Sequence, residues 1–321
     1  MGHSMSRREA LAVLGSLAAG AVAGSGFIAS PARAQSAPGG RRTRLILLGT
    51  DGGPRPKKSR AAPALVILAD GVPYVVDCGE GVARQLVLAN VPLRNLRTVF
   101  ITHQHSDHNA GFASLLLLSW ASGLGTPVDI YGPPPLVKMT QAALELNRYD
   151  IETRIEDEGR KPLAPLIRPH ELTQGGVVMQ DERIKVTCAL VNHPPVVPAF
   201  AYRFDGADRS IVVSGDTTPA DALVALASGA DVLVHEVLHV PSVDRIVANI
   251  PNASRLKEHI IASHTSLDDV GKVAARAGVK TLVLTHLVPS EEPKISDEQW
   301  LEGARANFKG EIVVGRDLLE I

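Results

Sequence analysis

The sequence predicts an α/β domain of four layers, two β-sheets packed face to face with helices over both outer faces. Three observations lead there. Short β-branched or aliphatic runs bounded by Gly, Pro or Asp recur in both halves of the chain, helical periodicity separates them, and no short-period repeat is present. Strands and helices mixed in this way bury their apolar faces by stacking sheets and covering the outsides. With 321 residues, 45% hydrophobic and 21% charged, the chain is long enough for one large core.

The first element is a targeting segment. Ser6-Arg7-Arg8-Glu9-Ala10-Leu11 puts a twin arginine before an Ala/Gly/Leu-rich stretch, which ends in the small-x-small pattern Ala32-Arg33-Ala34. Residues 1–34 read as a twin-arginine signal peptide, with an uncleaved tether or amphipathic helix as the alternative. The implied location is the periplasm, with no membrane anchor after cleavage. Losing three Arg and one Glu takes the formal charge from -1 to -3. Residues 35–42 read as a flexible linker, and residues 43–321 as the folded domain.

Strands are expected at 45–49, 64–69, 73–78 and 98–102, with helices at 81–90, 111–122 and 135–147. The second half adds strands at 184–191, 199–204, 210–214, 232–235 and 281–285, and helices at 219–228 and 266–277. Positions 148–180 are charged, proline-bearing and weakly periodic, so they read as an irregular insertion over the site.

Lys plus Arg total 33 against 34 for Asp plus Glu, which leaves no strong field to hold a polyanion. Trp120, Tyr131 and Tyr149 do not alternate with basic residues as a base-stacking platform would. The expected partner is a small-molecule ester substrate, with no stable nucleic acid. Only Cys78 and Cys188 are present, in apolar strand-like runs, and buried free thiols are expected rather than a bridge.

The chemistry is concentrated after one strand. Val99-Phe100-Ile101-Thr102 leads into His103-Gln104-His105-Ser106-Asp107-His108, so four candidate ligands leave one strand end. Zinc takes imidazole nitrogen and carboxylate oxygen, and alternate residues His103 and His105 can face one ion. Asp107 and His108, past the bend, can face another. A solvated polar turn is the plainer reading, but it leaves unexplained His193, Asp216 and His286, each ending a strand-like run. His193 can complete the first shell, His286 the second, and Asp216 can bridge them, for two Zn2+ per chain. Gly111 follows where the chain must pass close to this site.

From Leu45 to Pro289 the chain resembles the metallo-β-lactamase superfamily, in its ribonuclease Z-like branch. Leu48-Gly49-Thr50-Asp51-Gly52-Gly53-Pro54 is similar to that branch's opening glycine-rich loop. Val76-Asp77-Cys78-Gly79-Glu80-Gly81 is similar to its second motif, which implies that Asp77 orients a metal-bound histidine. His235-Glu236 resembles the His-Glu-Ala-Thr element, and Ser263-His264-Thr265-Ser266 the His-x-Thr/Ser motif. The basic Gly/Pro-rich arm that grips tRNA in ribonuclease Z is not evident. Tyr131-Gly132-Pro133 and the run from Thr153 to Gly159 are similar to exported arylsulfatase-like members of the branch.

The resemblance implies a two-zinc αββα hydrolase of anionic esters, arylsulfate or phosphodiester. A metal-bridging hydroxide oriented by Asp107 would attack, and His264, set by Glu236, would protonate the leaving oxygen. The plainer alternatives are a helix-start histidine for His264 and a structural ion pair for Glu236. Three further alternatives stand beside this reading: a lactonase in which Tyr202 assists, a ribonuclease Z-type nuclease, and a non-catalytic zinc binder. Homodimers are common in the branch.

Overall fold

The computed structural model describes residues 42–250 and 252–321, so the twin-arginine segment and most of the linker lie outside the described residues. One sheet runs in the order β1 (Thr43–Gly49), β2 (Ala64–Ala69), β3 (Val72–Val76), β4 (Thr98–Phe100), β5 (Val128–Gly132), β6 (Ile167–Glu171). The remaining strands are β7 (Gly176–Gln180), β8 (Ile184–Val191), β9 (Ala199–Gly206), β10 (Ser210–Val213), β11 (Val232–Leu238), β12 (Thr281–Val288) and β13 (Glu311–Val314). They form the second sheet in reverse order, from β13 to β7. In each sheet the chain-terminal side differs in direction: β1 to β3 are antiparallel and β3 to β6 parallel, while β7 to β10 are antiparallel and β10 to β13 parallel.

Alternation along the strands builds the layers. Leu45 and Leu47 of β1 face the space between the sheets, whereas Ile46 and Leu48 face the helices outside. Phe200, Tyr202 and Phe204 of β9 point inward, and Ala199 and Ala201 outward. The Phe100 ring lies 5.3 Å from Tyr202 and 5.1 Å from Phe204, tying one sheet to the other.

The outer layers are helical. α1 (Val82–Leu88), α3 (Phe112–Ala121), α4 (Leu136–Leu146) and α5 (Arg148–Glu158) cover the first sheet, and α2 (Ser106–Asn109) is a single turn after β4. α6 (Asp221–Leu226), α9 (Leu267–Ala277) and α10 (Asp297–Arg305) cover the second. Between β11 and α9 lie two more, α7 (Val243–Ala248) and α8 (Leu256–Ser263). Helix α9 shows why such segments form: Val270, Val273, Ala274 and Ala277 make one apolar stripe. The Ser266 side chain accepts from the Asp269 N–H, and Gly278 ends the helix in the left-handed conformation. The four-layer αββα architecture is the one expected.

One expectation is corrected. Positions 148–180 are not an irregular insertion over the site: they form α5 and the edge strands β6 and β7, one for each sheet. Ile151, Leu163 and Ile167 join the core, which the charged residues around them conceal. Cover over the site comes instead from α7 and α8, a region that carries no strong periodic pattern because Pro241, Asn249 and Pro251 interrupt it. Cys78 and Cys188 are buried free thiols, as anticipated.

Candidate metal centre and active site

The metal-site residues follow the ends of β4, β8 and β10, except His286, which sits within β12. Beyond β4, the Thr102 N–H and hydroxyl donate to Asp77 at 2.8 and 2.9 Å, and Asp77 Oδ2 lies 2.8 Å from His108 Nδ1. Asp77 therefore fixes the His108 ring with Nε2 turned inward, as the sequence motif implied. His103 Nδ1 meets the Thr102 hydroxyl at 3.0 Å, and His193 Nδ1 donates to the Ser263 carbonyl at 2.8 Å. Both rings thereby turn Nε2 toward the centre.

Local backbone geometry is specialised for this placement. His286 is the extra residue in the β11–β12 register, between the pairs Glu236 with Thr285 and Val237 with Leu287, and its φ is 44°. Asp77 has φ 60°. Positive φ at residues other than glycine is strained and gathers at functional sites. Gly215, φ 59°, delivers Asp216 after β10, and a Cβ there would lie 2.8 Å from the Phe200 carbonyl oxygen. Gly111 is required for a related reason: a Cβ would lie 2.2 Å from the Gly79 carbonyl oxygen.

The seven anticipated ligands converge into two groups that could each hold a metal ion: His103, His105, His193 and Asp216, and Asp107, His108, Asp216 and His286. Asp216 belongs to both. His105 Nδ1 lies 3.1 Å from His103 Nε2 and 3.0 Å from His193 Nε2, so three imidazole nitrogens crowd one point. His286 Nε2 is 3.3 Å from Asp107 Oδ2 and 3.2 Å from Asp216 Oδ2. His108 Nε2 and Asp216 Oδ1 are buried and lack a hydrogen-bond partner. Unpartnered buried ligand atoms aimed at one space are what a bound cation would satisfy, so these residues fit a metal pair.

The electrostatics agree. Burial pushes the pKa of His103 and His193 down and that of His105 to about 4, leaving these rings neutral and able to ligate. Burial would also lower His108 and His286, but Asp216 and its neighbouring carboxylates outweigh it and raise both. Protons bind where a cation is wanted.

Behind this centre, Glu236 Oε1 accepts from the Thr217 N–H at 3.1 Å and the Thr265 N–H at 3.0 Å. His264 Nδ1 approaches the same oxygen at 3.2 Å, an ion-pair contact without hydrogen-bond alignment. Burial works to lower the His264 pKa, yet the Glu236 charge, with Asp216 and Asp107, raises it to about 9. A third group of possible ligands joins Glu236 and His264 to His286. Glu236 Oε1 is already engaged by two backbone donors, while its Oε2 is buried without a hydrogen-bond partner.

Tyr202 is not placed to assist a reaction. It is fully buried, and its hydroxyl donates to the Ile101 carbonyl at 2.9 Å. Sequence reasoning missed His259 of α8, whose ring centroid lies 5.8 Å from that of His105 and 6.5 Å from that of His264. The cue was available in its position one helical turn before Ser263, to whose hydroxyl its Nδ1 lies 3.3 Å away.

Fold and centre together define a metal-dependent hydrolase with a two-sheet metallo-β-lactamase architecture. The β-lactamase superfamily domain matches residues 74–287, and the chain belongs to that superfamily. Ribonuclease Z of Mycobacterium bovis is 38% identical over 277 residues, covering 85% of this chain and 96% of that protein. Ribonuclease Z of Mycobacterium tuberculosis H37Rv is 36% identical with the same coverage. Among solved structures, human tRNase Z, short form, superposes with a TM-score of 0.64 at 23% identity, covering 87% of this chain and 98% of that one. The fold protein YhfI of Bacillus subtilis gives 0.66 at 19% identity, with coverage of 87% and 98%. The kinship with the ribonuclease Z branch is thus as expected, whereas none of these likenesses supports the arylsulfatase-like one. No helix among the described residues is long and apolar enough to cross a membrane.

Proposed function

We propose that this chain is a two-zinc phosphodiesterase. His103, His105, His193 and Asp216 would hold one ion, and Asp107, His108, Asp216 and His286 the other. Imidazole-rich sets with shared carboxylates suit Zn2+. When bound, the pair would supply positive charge against the negative charge developing on the ester and would acidify water. The protein's own groups do the rest. Asp107, held by the Gly53 N–H at 3.1 Å, orients the attacking water, and His264 donates a proton to the departing oxygen. Glu236 keeps His264 charged and aimed.

The observation that carries this reading is His264, backed by the buried Glu236 at 3.2 Å, on the wall of a cavity that His105, Asp107, Asp216 and His286 also line. A proton donor there serves an ester with a poor leaving group, and a lactonase has less need of it. The relatives' name, ribonuclease Z, favours phosphodiester over sulfate ester. It also speaks for a nucleic-acid substrate, against the reading from charge and composition.

The test is a rate comparison of zinc-loaded protein on bis-nitrophenyl phosphate, nitrophenyl sulfate, a simple lactone and a short RNA. Phosphodiester turnover exceeding the others supports the proposal, and preference for sulfate or lactone overturns it. Bound metal with no turnover on any of them would make the chain a zinc binder. We also infer export to the periplasm from Arg7 and Arg8, checked by fractionating cells expressing the wild type and an Arg7→Lys/Arg8→Lys variant, and a homodimer, checked by light scattering.

A further inference from the structure

We propose that α7 and α8 build an apolar subsite beside the reacting groups, so that the enzyme selects small phosphodiesters bearing an alkyl or aryl group. This rests on the phosphodiesterase reading. A cavity of about 320 Å³ opens on His105, Asp107, Asp216, His264 and His286. That size lies near the lower end of small-molecule sites. Its apolar lining includes Ile246, Ile250, Leu256, Ile260 and Val288. These residues form an apolar cluster apart from the three that hold the layers together, and Ile250 and Leu256 stay partly open.

An apolar surface facing an active cavity is stabilised when a ligand removes it from water. Arg55 and Lys57 of the β1–β2 loop, the latter also 3.7 Å from Asp51, line the same cavity, so part of its lining is cationic and part apolar. An anionic diester with one apolar substituent satisfies both parts. A polynucleotide would not: it brings a phosphate at every step and seeks cations and stacking aromatics, and among the described residues no Phe, Tyr or Trp lines this cavity.

The test uses zinc-loaded protein and two readouts. The first is kcat/KM for nitrophenyl alkyl phosphodiesters from methyl to hexyl, with nitrophenyl thymidine phosphate for comparison. The second is the calorimetric affinity for the matching n-alkyl phosphonates, which needs no turnover. Both should rise about 4-fold per methylene over the first few carbons, the factor for burying a CH₂. The slope should collapse in Leu256→Ser and Ile250→Ser but persist in Leu146→Ser, whose side chain is 77% exposed on α4. A flat series in both readouts, or a thymidine diester preferred over hexyl, overturns the subsite. Rising phosphonate affinity without phosphodiester turnover would leave the subsite standing and sink the phosphodiesterase reading.

Discussion

Replacing His264 by alanine tests the proposed proton donor apart from the metal centre, because His264 is in neither four-residue ligand group. Glu236 should stay in place, since its Oε1 is held by the Thr217 and Thr265 backbone at 3.1 and 3.0 Å. Metal content should therefore be unchanged. A well-placed general acid contributes a factor of about 10² to 10⁴, or about 3–5 kcal/mol of barrier. That contribution is needed only when the leaving oxygen is too basic to depart as an anion. A nitrophenyl ester needs little help, so His264→Ala should cost it less than about 10-fold, while the matching methyl or ribose-leaving diester loses at least about 10² in kcat/KM. The assay is paired kcat/KM measurement on the two esters, with zinc stoichiometry determined on the same sample. Equal losses on both would refute the acid role, and loss of zinc would show that the ring is a ligand.

Other perturbations test neighbouring parts of the argument. Glu236→Gln removes the charge that holds the His264 pKa near 9, so His264 loses its proton at lower pH and the alkaline limb of the rate profile should move down; an unmoved limb would assign it to another group. Removing Asp77 by Asp77→Ala frees the His108 ring and should weaken zinc binding about 10- to 100-fold in a competitive chelator titration. Because His108 and His286 are raised by neighbouring carboxylates, metal must displace their protons. Zinc affinity should accordingly fall as pH is lowered, with proton release visible by calorimetry in buffers of different ionisation enthalpy. Gly111→Ala places a Cβ 2.2 Å from the Gly79 carbonyl oxygen and should destabilise by about 1–3 kcal/mol in denaturant unfolding, with zinc affinity lowered too, because Cys78 N–H bonds the His108 carbonyl at 2.7 Å in the same segment.

What the sequence discloses follows from how local each feature is. The segment from His103 to His108 is contiguous, so its chemistry can be read directly. His193, Asp216 and His286 are legible because strong strand runs end just before or at them, and parallel or antiparallel pairing brings such ends together. The same reasoning places Tyr202 wrongly only if its neighbours are ignored: with Phe200 and Phe204 it shares the inward face of β9, and its hydroxyl is spent on Ile101. Strands β6 and β7 were hidden because edge strands expose much of their surface, as Arg168, His170 and Val177 do, and charged residues there blur the alternation.

The α7–α8 cover was hidden for a different reason. Its pattern, Ile246 with Ile250 and Leu256 with Ile260, is helical over four residues at a time and broken between, so no single window carries it. Only the fold shows that both pairs face one cavity. Ligands and cover are therefore built by separate means. The metal ligands sit on or just beyond strands that two packed sheets hold in place, whereas most of the cavity's apolar wall belongs to the excursion between β11 and α9, which also carries His264 at the end of α8. On the subsite proposal, substitution at Ile250 or Leu256 changes which ester fits while leaving His264 and the ligands unaltered, which is why chemistry was readable from short motifs and substrate choice was not.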